Sequence, residues 1–182
     1  MNTITRTILL LFFLAANSAA MAQNYASSVG FSAGYVEDGF GGNATFNFHP
    51  NRFSYIQIGV FASFSEEDFD GVKIPYNVFS FQPGYYRRIF LVDWRKPVGI
   101  YLGGGGIAGY EVINNGNNEL PSGALITAES KFIYGGFASL EIEWQIKESF
   151  SLALKANQHY HVNSDIGNLY PFVGLSLRYY LY

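Results

Sequence analysis

The sequence predicts an all-β protein: an eight-stranded antiparallel outer-membrane-type β-barrel with an N-terminal signal peptide. Three observations predict this fold class. Apolar and polar residues alternate with a period of two along eight segments of the 182-residue chain, the pattern of half-buried strands. Most segments reach the roughly 9 residues that a tilted strand needs to cross a bilayer. Short connections also alternate with longer polar ones, as in membrane barrels with turns at one end and loops at the other.

The N-terminus predicts a secretory signal peptide over residues 1–22. Arg6 precedes an unbroken apolar run of nine residues at 8–16, and small residues follow, ending in Ala-Met-Ala. A positive start, a short apolar core and an A-x-A cleavage site are the parts of a signal peptide. The run is too short for a transmembrane helix, which needs about 20 apolar residues. We therefore expect export with cleavage after Ala22 and a barrel domain over residues 23–182.

The first four strands are predicted from alternation that ends at turn residues. In the third, Ile56 and Ile58 lie on one face and Gln57 on the other. The Pro83-Gly84 pair inside the fourth suggests a β-bulge. A polar connection follows the third strand and is predicted to be a long loop. The four predicted strands are residues 28–36, 43–49, 55–64 and 76–90, and the predicted loop is 65–74.

The last four strands show the same alternation. The clearest is the sixth, where Leu140 and Ile142 share one face and Glu141 and Glu143 share the other. A second long polar connection, residues 113–130, precedes it. The four predicted strands are residues 98–112, 131–144, 150–161 and 173–181.

The composition favours a barrel whose apolar faces meet lipid. Charged residues make up 14% of the chain and aromatic residues 18%, whereas soluble domains carry about 25% charged residues. A soluble barrel with its apolar faces inward is the alternative. The net charge of -3 argues against electrostatic nucleic-acid binding. The absence of cysteine excludes disulfides, thiolate metal sites and cysteine nucleophiles.

Polar faces that point away from lipid meet inside the barrel. Eight strands enclose an interior that side chains can just fill. Charges of both signs on neighbouring strands predict ion pairs that plug this lumen, because a buried charge needs a partner. The candidate polar network of the lumen is Glu111, Lys131, Glu141, Glu143, Lys155, His159, His161 and Arg178.

Two sequence motifs resemble ligand-binding sites but are better explained as parts of the barrel structure. Residues 104–109 match G-x-G-x-x-G, but the nucleotide-binding motif needs a helix after it and here a strand continues. We expect the glycines to make room for bulky neighbours in the lumen. His159 and His161 share a strand face, but zinc needs further ligands. No metal, no cofactor and no catalytic residue is expected.

An enzymatic alternative is hydrolysis of an acyl ester in the membrane. Lipid A deacylases are small eight-stranded barrels with a His-x-Ser-Asn motif near the outer surface. This chain reads His161-Val162-Asn163-Ser164, with the serine three positions from the histidine. Continued strand geometry would put the two on opposite faces, whereas a base and its nucleophile must be within hydrogen-bond reach. The sequence therefore favours a protein that is not an enzyme.

Several short stretches in the second half of the chain match the motifs of a known family. They are Lys73-Ile74-Pro75, Gly84-Tyr85-Tyr86, Ala108-Gly109-Tyr110-Glu111-Val112, Phe132-Ile133-Tyr134-Gly135-Gly136 and Leu140-Glu141-Ile142-Glu143. From about Val72 onward the chain resembles the TraO family, the conjugal transfer proteins of Bacteroidetes conjugative transposons. It departs from the family pattern at residues 157–159 and 162–164.

The resemblance implies a non-enzymatic outer-membrane component of a conjugative DNA-transfer apparatus. It implies a Gram-negative outer membrane as the location, and membrane lipid and other envelope proteins as partners. A general outer-membrane structural or adhesion barrel, unrelated to conjugation, is the alternative. The loops at 65–74 and 113–130 are the candidates for contacts with partners or the recipient surface, and the first carries Glu66, Glu67, Asp68 and Asp70. Its acidity argues against direct nucleic-acid binding, because like charge repels phosphate.

Overall fold

All eight predicted strands are present in the computed structural model, which describes residues 27–69, 72–92, 98–117 and 128–181. The strands are β1 (Ser27–Val36), β2 (Gly39–Asn51), β3 (Ser54–Phe69), β4 (Val72–Leu91), β5 (Val98–Ile113), β6 (Lys131–Lys147), β7 (Phe150–His161) and β8 (Leu169–Leu181). The predicted signal peptide lies outside the described residues. Within those residues, no helix has the length and apolar character to cross a membrane.

The sheet closes on itself. Each strand pairs antiparallel with the next, and β1 pairs with β8 to complete a closed barrel. The closing register runs from Ser27 opposite Leu181 to Val36 opposite Phe172. Closure satisfies the backbone groups that an open sheet edge would leave unpaired. The fold is therefore the all-β, eight-stranded antiparallel barrel that the sequence predicts.

Apolar residues face outward on all eight strands. On β1, the Phe31 side chain is 63% exposed whereas its neighbour Ser32 is 1% exposed. The same alternation continues around the barrel and leaves a belt of large apolar side chains at the surface. Soluble monomers rarely expose a continuous apolar surface of this extent. The arrangement is the one that the sequence predicts for strands whose apolar faces meet lipid, and it differs from that of a soluble barrel.

Several details of the sheet differ from the sequence-based prediction. β2 begins at Gly39 and not at residue 43, and β8 begins at Leu169 and not at residue 173. Residues 65–69 and 72–74, predicted to be loop, are strand, because β3 and β4 extend as a paired hairpin with Glu66 opposite Pro75. The predicted bulge at Pro83 is also absent. The registers of β4 with β3 and with β5 are the same on both sides of Pro83, and the shift lies between Arg88 and Phe90. A proline removes one backbone donor without requiring an inserted residue.

The barrel has two distinct ends. The end with connections 52–53, 92–97 and 148–149 is called the turn end, and the opposite end is called the loop end. Inward-facing residues near the loop end form an apolar cluster, called the loop-end layer. Its members are Val36, Phe61, Tyr76, Val78, Ile113, Ile133, Tyr170 and Phe172. Charged side chains gather nearer the turn end.

A middle aromatic group lies against the charged side chains, which Tyr55 and Tyr86 contact directly. Tyr55 and Tyr86 stack with ring centroids 4.6 Å apart and an interplanar angle of 8°. Phe137 lies beside Tyr86, with centroids 6.5 Å apart. Gly103 makes room for the stack, because a Cβ there would lie 2.3 Å from Cδ1 of Tyr86. Within residues 104–109 the expectation of bulky lumen neighbours is wrong, because a Cβ at Gly105 would lie 1.9 Å from the carbonyl oxygen of Pro83 and a Cβ at Gly106 would meet nothing within 4 Å.

Candidate functional site

The lumen contains a buried cluster of charged side chains near the turn end. Arg178 on β8 lies between two carboxylates of β6. Its Nη2 donates to Oε1 of Glu141 at 2.6 Å, and its Nη1 donates to Oε2 of Glu143 at 2.9 Å. Arg178 is 3% exposed and Glu141 is fully buried. A guanidinium suits this geometry, because its planar fork can serve two carboxylates at once.

Hydroxyl groups complete the coordination of the two carboxylates. The Tyr55 hydroxyl donates to Oε2 of Glu141 at 3.1 Å. The Tyr180 hydroxyl donates to Oε1 of Glu143 at 2.7 Å, and the Ser151 hydroxyl donates to the same oxygen. Buried carboxylates are tolerated when their oxygens accept such hydrogen bonds. These donors come from β3, β7 and β8, so the cluster ties strands on different sides of the lumen.

Lys155 supplies the second cation. Its Nζ donates to Oε1 of Gln57 at 2.8 Å and lies 3.8 Å from Oε2 of Glu141. The same nitrogen sits 4.9 Å from the ring centroid of Tyr86, a cation–π contact. Glu141, Glu143, Lys155 and Arg178, called the charge cluster below, thus contain two carboxylates and two cations. Their formal charges cancel within the lumen.

The two predicted histidines lie in a separate part of the lumen. Nε2 of His159 is 3.3 Å from Nε2 of Gln82, and its Nδ1 is 3.0 Å from the carbonyl oxygen of Tyr170. The rings of His159 and His161 stack with centroids 6.2 Å apart. His159 also lies against Phe61 of the loop-end layer. The two imidazoles therefore pack against the rings of Phe61, Phe137 and Tyr170.

Glu111 and Lys131, the remaining residues of the predicted network, lie near the loop end and do not pair with each other. Glu111 and Lys131 face each other in the backbone register. However, Oε2 of Glu111 accepts a hydrogen bond from the Ser164 hydroxyl at 2.7 Å, and the Lys131 ammonium pairs with Asp165. The hydrogen bond from Lys131, followed by that from the Glu129 amide, holds the pKa of Asp165 below its ordinary value.

The predicted lumen network is thus divided into separate groups. Strand parity identified the inward faces, including those of Tyr55, Gln57 and Ser151, which complete the charge cluster. It carried no information on which inward residues meet across the lumen. The Tyr55–Glu141 contact, for example, joins residues 86 positions apart.

Three of the four candidate partner residues lie on the hairpin that extends β3 and β4. Glu66, Glu67 and Asp68 belong to β3, and Asp70 lies outside the described residues. The backbone N–H of Glu66 donates to the carbonyl oxygen of Asp38 at 3.1 Å. This contact connects the base of the hairpin to the β1–β2 turn. A role in partner binding stays a prediction.

His161 and Ser164 line the same cavity at the loop end. The expected placement on opposite strand faces is wrong, because β7 ends at His161 and Ser164 belongs to the following connection. The Ser164 hydroxyl donates to Glu111, and its oxygen accepts the backbone N–H groups of Ile166 and Gly167, each at 3.3 Å. Ser164 therefore stabilises the turn, and its hydroxyl proton is directed to a carboxylate and not to an imidazole.

The closed sheet, the apolar exterior and the filled lumen define an outer-membrane-type eight-stranded β-barrel. The chain belongs to the family described as conjugative transposon protein TraO, which matches residues 20–181. No match was found among curated proteins.

Solved outer-membrane proteins have a similar fold. A major outer membrane protein from Thermus thermophilus has a TM-score of 0.60 at 14% identity, covering 87% of this chain and 100% of that chain. Neisserial surface protein A has a TM-score of 0.58 at 10% identity, covering 85% and 96%. The attachment invasion locus protein Ail of Yersinia pestis has a TM-score of 0.53 at 12% identity, covering 86% and 97%. These similarities concern the fold alone.

Proposed function

We propose that this protein is a non-enzymatic component of the outer membrane in a conjugative DNA-transfer apparatus. The observation that carries the proposal is the family match over residues 20–181. The barrel is proposed to sit in the outer membrane of a Gram-negative bacterium, with lipid around its apolar belt. The exposed apolar side chains on all eight strands support this location, because membrane barrels alternate apolar residues outward and polar residues inward.

The barrel is proposed to contact other envelope proteins and not to conduct DNA. The described lumen contains the charge cluster, the middle aromatic group and the loop-end layer, and each consists of buried side chains. An eight-stranded barrel has room for such a filling and little more. The hairpin residues Glu66, Glu67, Asp68 and Asp70 remain the proposed partner surface, since their charge favours a basic protein surface over phosphate.

The first experiment deletes the gene in a donor strain that carries the element and counts transconjugants. We expect a large loss of transfer that the intact gene restores. Unchanged transfer would contradict the proposal and favour the general structural or adhesion barrel. Outer-membrane fractionation and a heat-dependent gel shift test the location independently of transfer. N-terminal sequencing of the exported protein tests cleavage after residue 22.

A complementation series tests the partner surface. Neutralising the hairpin with Glu66→Gln, Glu67→Gln, Asp68→Asn and Asp70→Asn is expected to lower transfer at least tenfold without changing the gel shift. Glu148→Gln at the turn end is the matched control and is expected to restore transfer fully. Full transfer with the neutralised hairpin would exclude this surface while leaving the deletion result in place.

A further inference from the structure

A cavity of about 350 Å³ opens at the loop end of the barrel. Its walls come from the β1–β2 turn, from β4, β5, β7 and β8, and from the connection between β7 and β8. Tyr76, Val78 and Tyr170 belong both to its wall and to the loop-end layer. The loop-end layer therefore forms the floor of this mouth cavity and separates it from the charge cluster.

The mouth cavity is acidic. Three carboxylate residues, Glu37, Asp38 and Glu111, line it, whereas no lysine or arginine is among its described lining residues. The nearest candidate cation is Lys131, which is opposite Glu111 in the strand register, but its ammonium pairs with Asp165. The charge cluster balances its own charges, whereas the described wall of the mouth cavity does not.

Glu111 is incompletely satisfied. Its residue is 1% exposed, and its Oε2 accepts the Ser164 hydroxyl at 2.7 Å. Its other oxygen, Oε1, is buried and has no hydrogen-bond partner at normal geometry among the described residues, while the backbone N–H of Asp165 lies close enough to the carboxylate to help stabilise its charged form. A buried carboxylate oxygen without a donor is unfavourable. A ligand that brings a charged N–H donor into the cavity would remove this deficit.

Aromatic rings line the same cavity. Tyr76 and Tyr170 meet edge to face with centroids 6.2 Å apart, and His161 lies 5.9 Å from Tyr170. The Tyr76 hydroxyl is engaged with the carbonyl oxygen of Glu37 and the Tyr170 hydroxyl with Ser63. Tyrosine rings attract cations through their faces. The wall thus combines carboxylates with aromatic surface, a combination suited to an organic cation.

We propose that the mouth cavity binds the ammonium or guanidinium group of a lysine or arginine side chain presented by a partner protein. Glu111 is the buried counter-charge, and Glu37 and Asp38 attract the cation at the rim. The volume is at the small end of the roughly 300–1,000 Å³ of ligand pockets, which suits one long side chain. Among the described residues, no three His, Asp or Glu side chains gather as a metal site. The proposal does not depend on a role in conjugation.

The test uses the purified full-length barrel in detergent micelles and short peptides as probes. Acetyl-Gly-Arg-Gly-amide and acetyl-Gly-Lys-Gly-amide are titrated while the amide NMR signals of Ser164 and His161 are followed. We expect saturable shifts with both peptides and none with acetyl-Gly-Gln-Gly-amide. Spermidine is titrated in parallel. Shifts with spermidine but with neither peptide would overturn the proposal in favour of a small-molecule cation, and no shift with any probe would overturn it outright.

Variants test the assigned counter-charge. Glu111→Gln keeps an acceptor for Ser164 and is expected to weaken peptide binding at least tenfold. Glu148→Gln, at the opposite end, is the matched control and is expected to bind as the parent does. Glu37→Gln, on the exposed turn, is expected to weaken binding about threefold, so it tests the site even if Glu111→Gln fails to fold. Unchanged binding in both cavity variants would contradict the proposal.

Discussion

The two halves of the lumen are filled by different chemistry. Near the turn end, Glu141 and Glu143 meet Arg178 and Lys155, and their charges cancel. Near the loop end, an aromatic and aliphatic cluster packs among buried polar side chains such as Ser63 and Gln82. The described lining of the cavity above it holds carboxylates and no lysine or arginine. The difference concerns charge: the charge cluster is balanced, although Nε of Arg178 and Nε2 of Gln57 have no hydrogen-bond partner among the described residues. The carboxylates that line the cavity of the loop half can attract a cationic group of a partner.

The largest expected effect comes from breaking the charge cluster. Arg178→Leu removes the guanidinium that bonds both Glu141 and Glu143. Leaving buried carboxylates without their cation costs about 3–5 kcal/mol. We expect a loss of this size in the free energy of unfolding, measured by urea titration in lipid vesicles.

A second variant separates lost pairing from lost packing. In Arg178→Leu combined with Glu143→Leu, the remaining Glu141 and Lys155 carry opposite charges 3.8 Å apart. We expect this double variant to recover part of the stability lost in Arg178→Leu. A double variant that is less stable than Arg178→Leu would show that packing, and not charge balance, holds the turn half together.

A substitution beside the middle aromatic group is expected to have an intermediate effect on stability. Gly103→Ala would place a methyl group 2.3 Å from the Tyr86 ring, whereas a Cβ at Gly106 meets nothing within 4 Å. Overpacking of this kind costs about 1–3 kcal/mol. Gly103→Ala is therefore expected to lower the urea midpoint, and Gly106→Ala is expected to leave it nearly unchanged. Equal midpoints for the two variants would contradict the assigned role of Gly103.

The smallest expected effect on stability comes from the partly exposed ion pair of Lys131 and Asp165 at the loop end. Lys131 lowers the pKa of Asp165, so the pair contributes stability above the ordinary carboxyl pKa, and this is lost as the pH falls through the lowered value. Both side chains are partly exposed, and such pairs contribute about 0.2–1 kcal/mol. NMR titration should show the pKa of Asp165 rising in Lys131→Met. An unchanged value would contradict the pairing.

Much of the fold could be predicted because strand parity is a local property. The inward position of Glu141 and Lys155 and the outward position of Phe31 follow from alternation alone. The apolar filling of the loop half was missed, since Ile133 and Phe137 face inward on a strand whose other inward residues are polar. Period-two patterns separate two faces but do not require the inner face to be polar.

Two further features of the structure depend on contacts between residues that are distant in the sequence or on where a strand ends. The extension of β3 past Ser65 follows from pairing with β4, which supplies backbone partners to residues that look like a loop. The joint position of His161 and Ser164 depends on where β7 ends.

The sequence by itself determined the class of fold, the number and order of the strands and the side that each residue faces. Its hydrophobic period and its turn residues act over a few positions, so they are readable without coordinates. The tertiary structure alone decided which inward side chains meet. The hydroxyl of Tyr55 on β3 reaches Glu141 on β6 because the closed barrel brings strands that are not neighbours around one lumen. Glu111 accepts a hydrogen bond from Ser164 and does not pair with Lys131, its neighbour in the strand register. This contact also depends on the tertiary structure, because contacts inside a closed barrel depend on the register of all eight strands together.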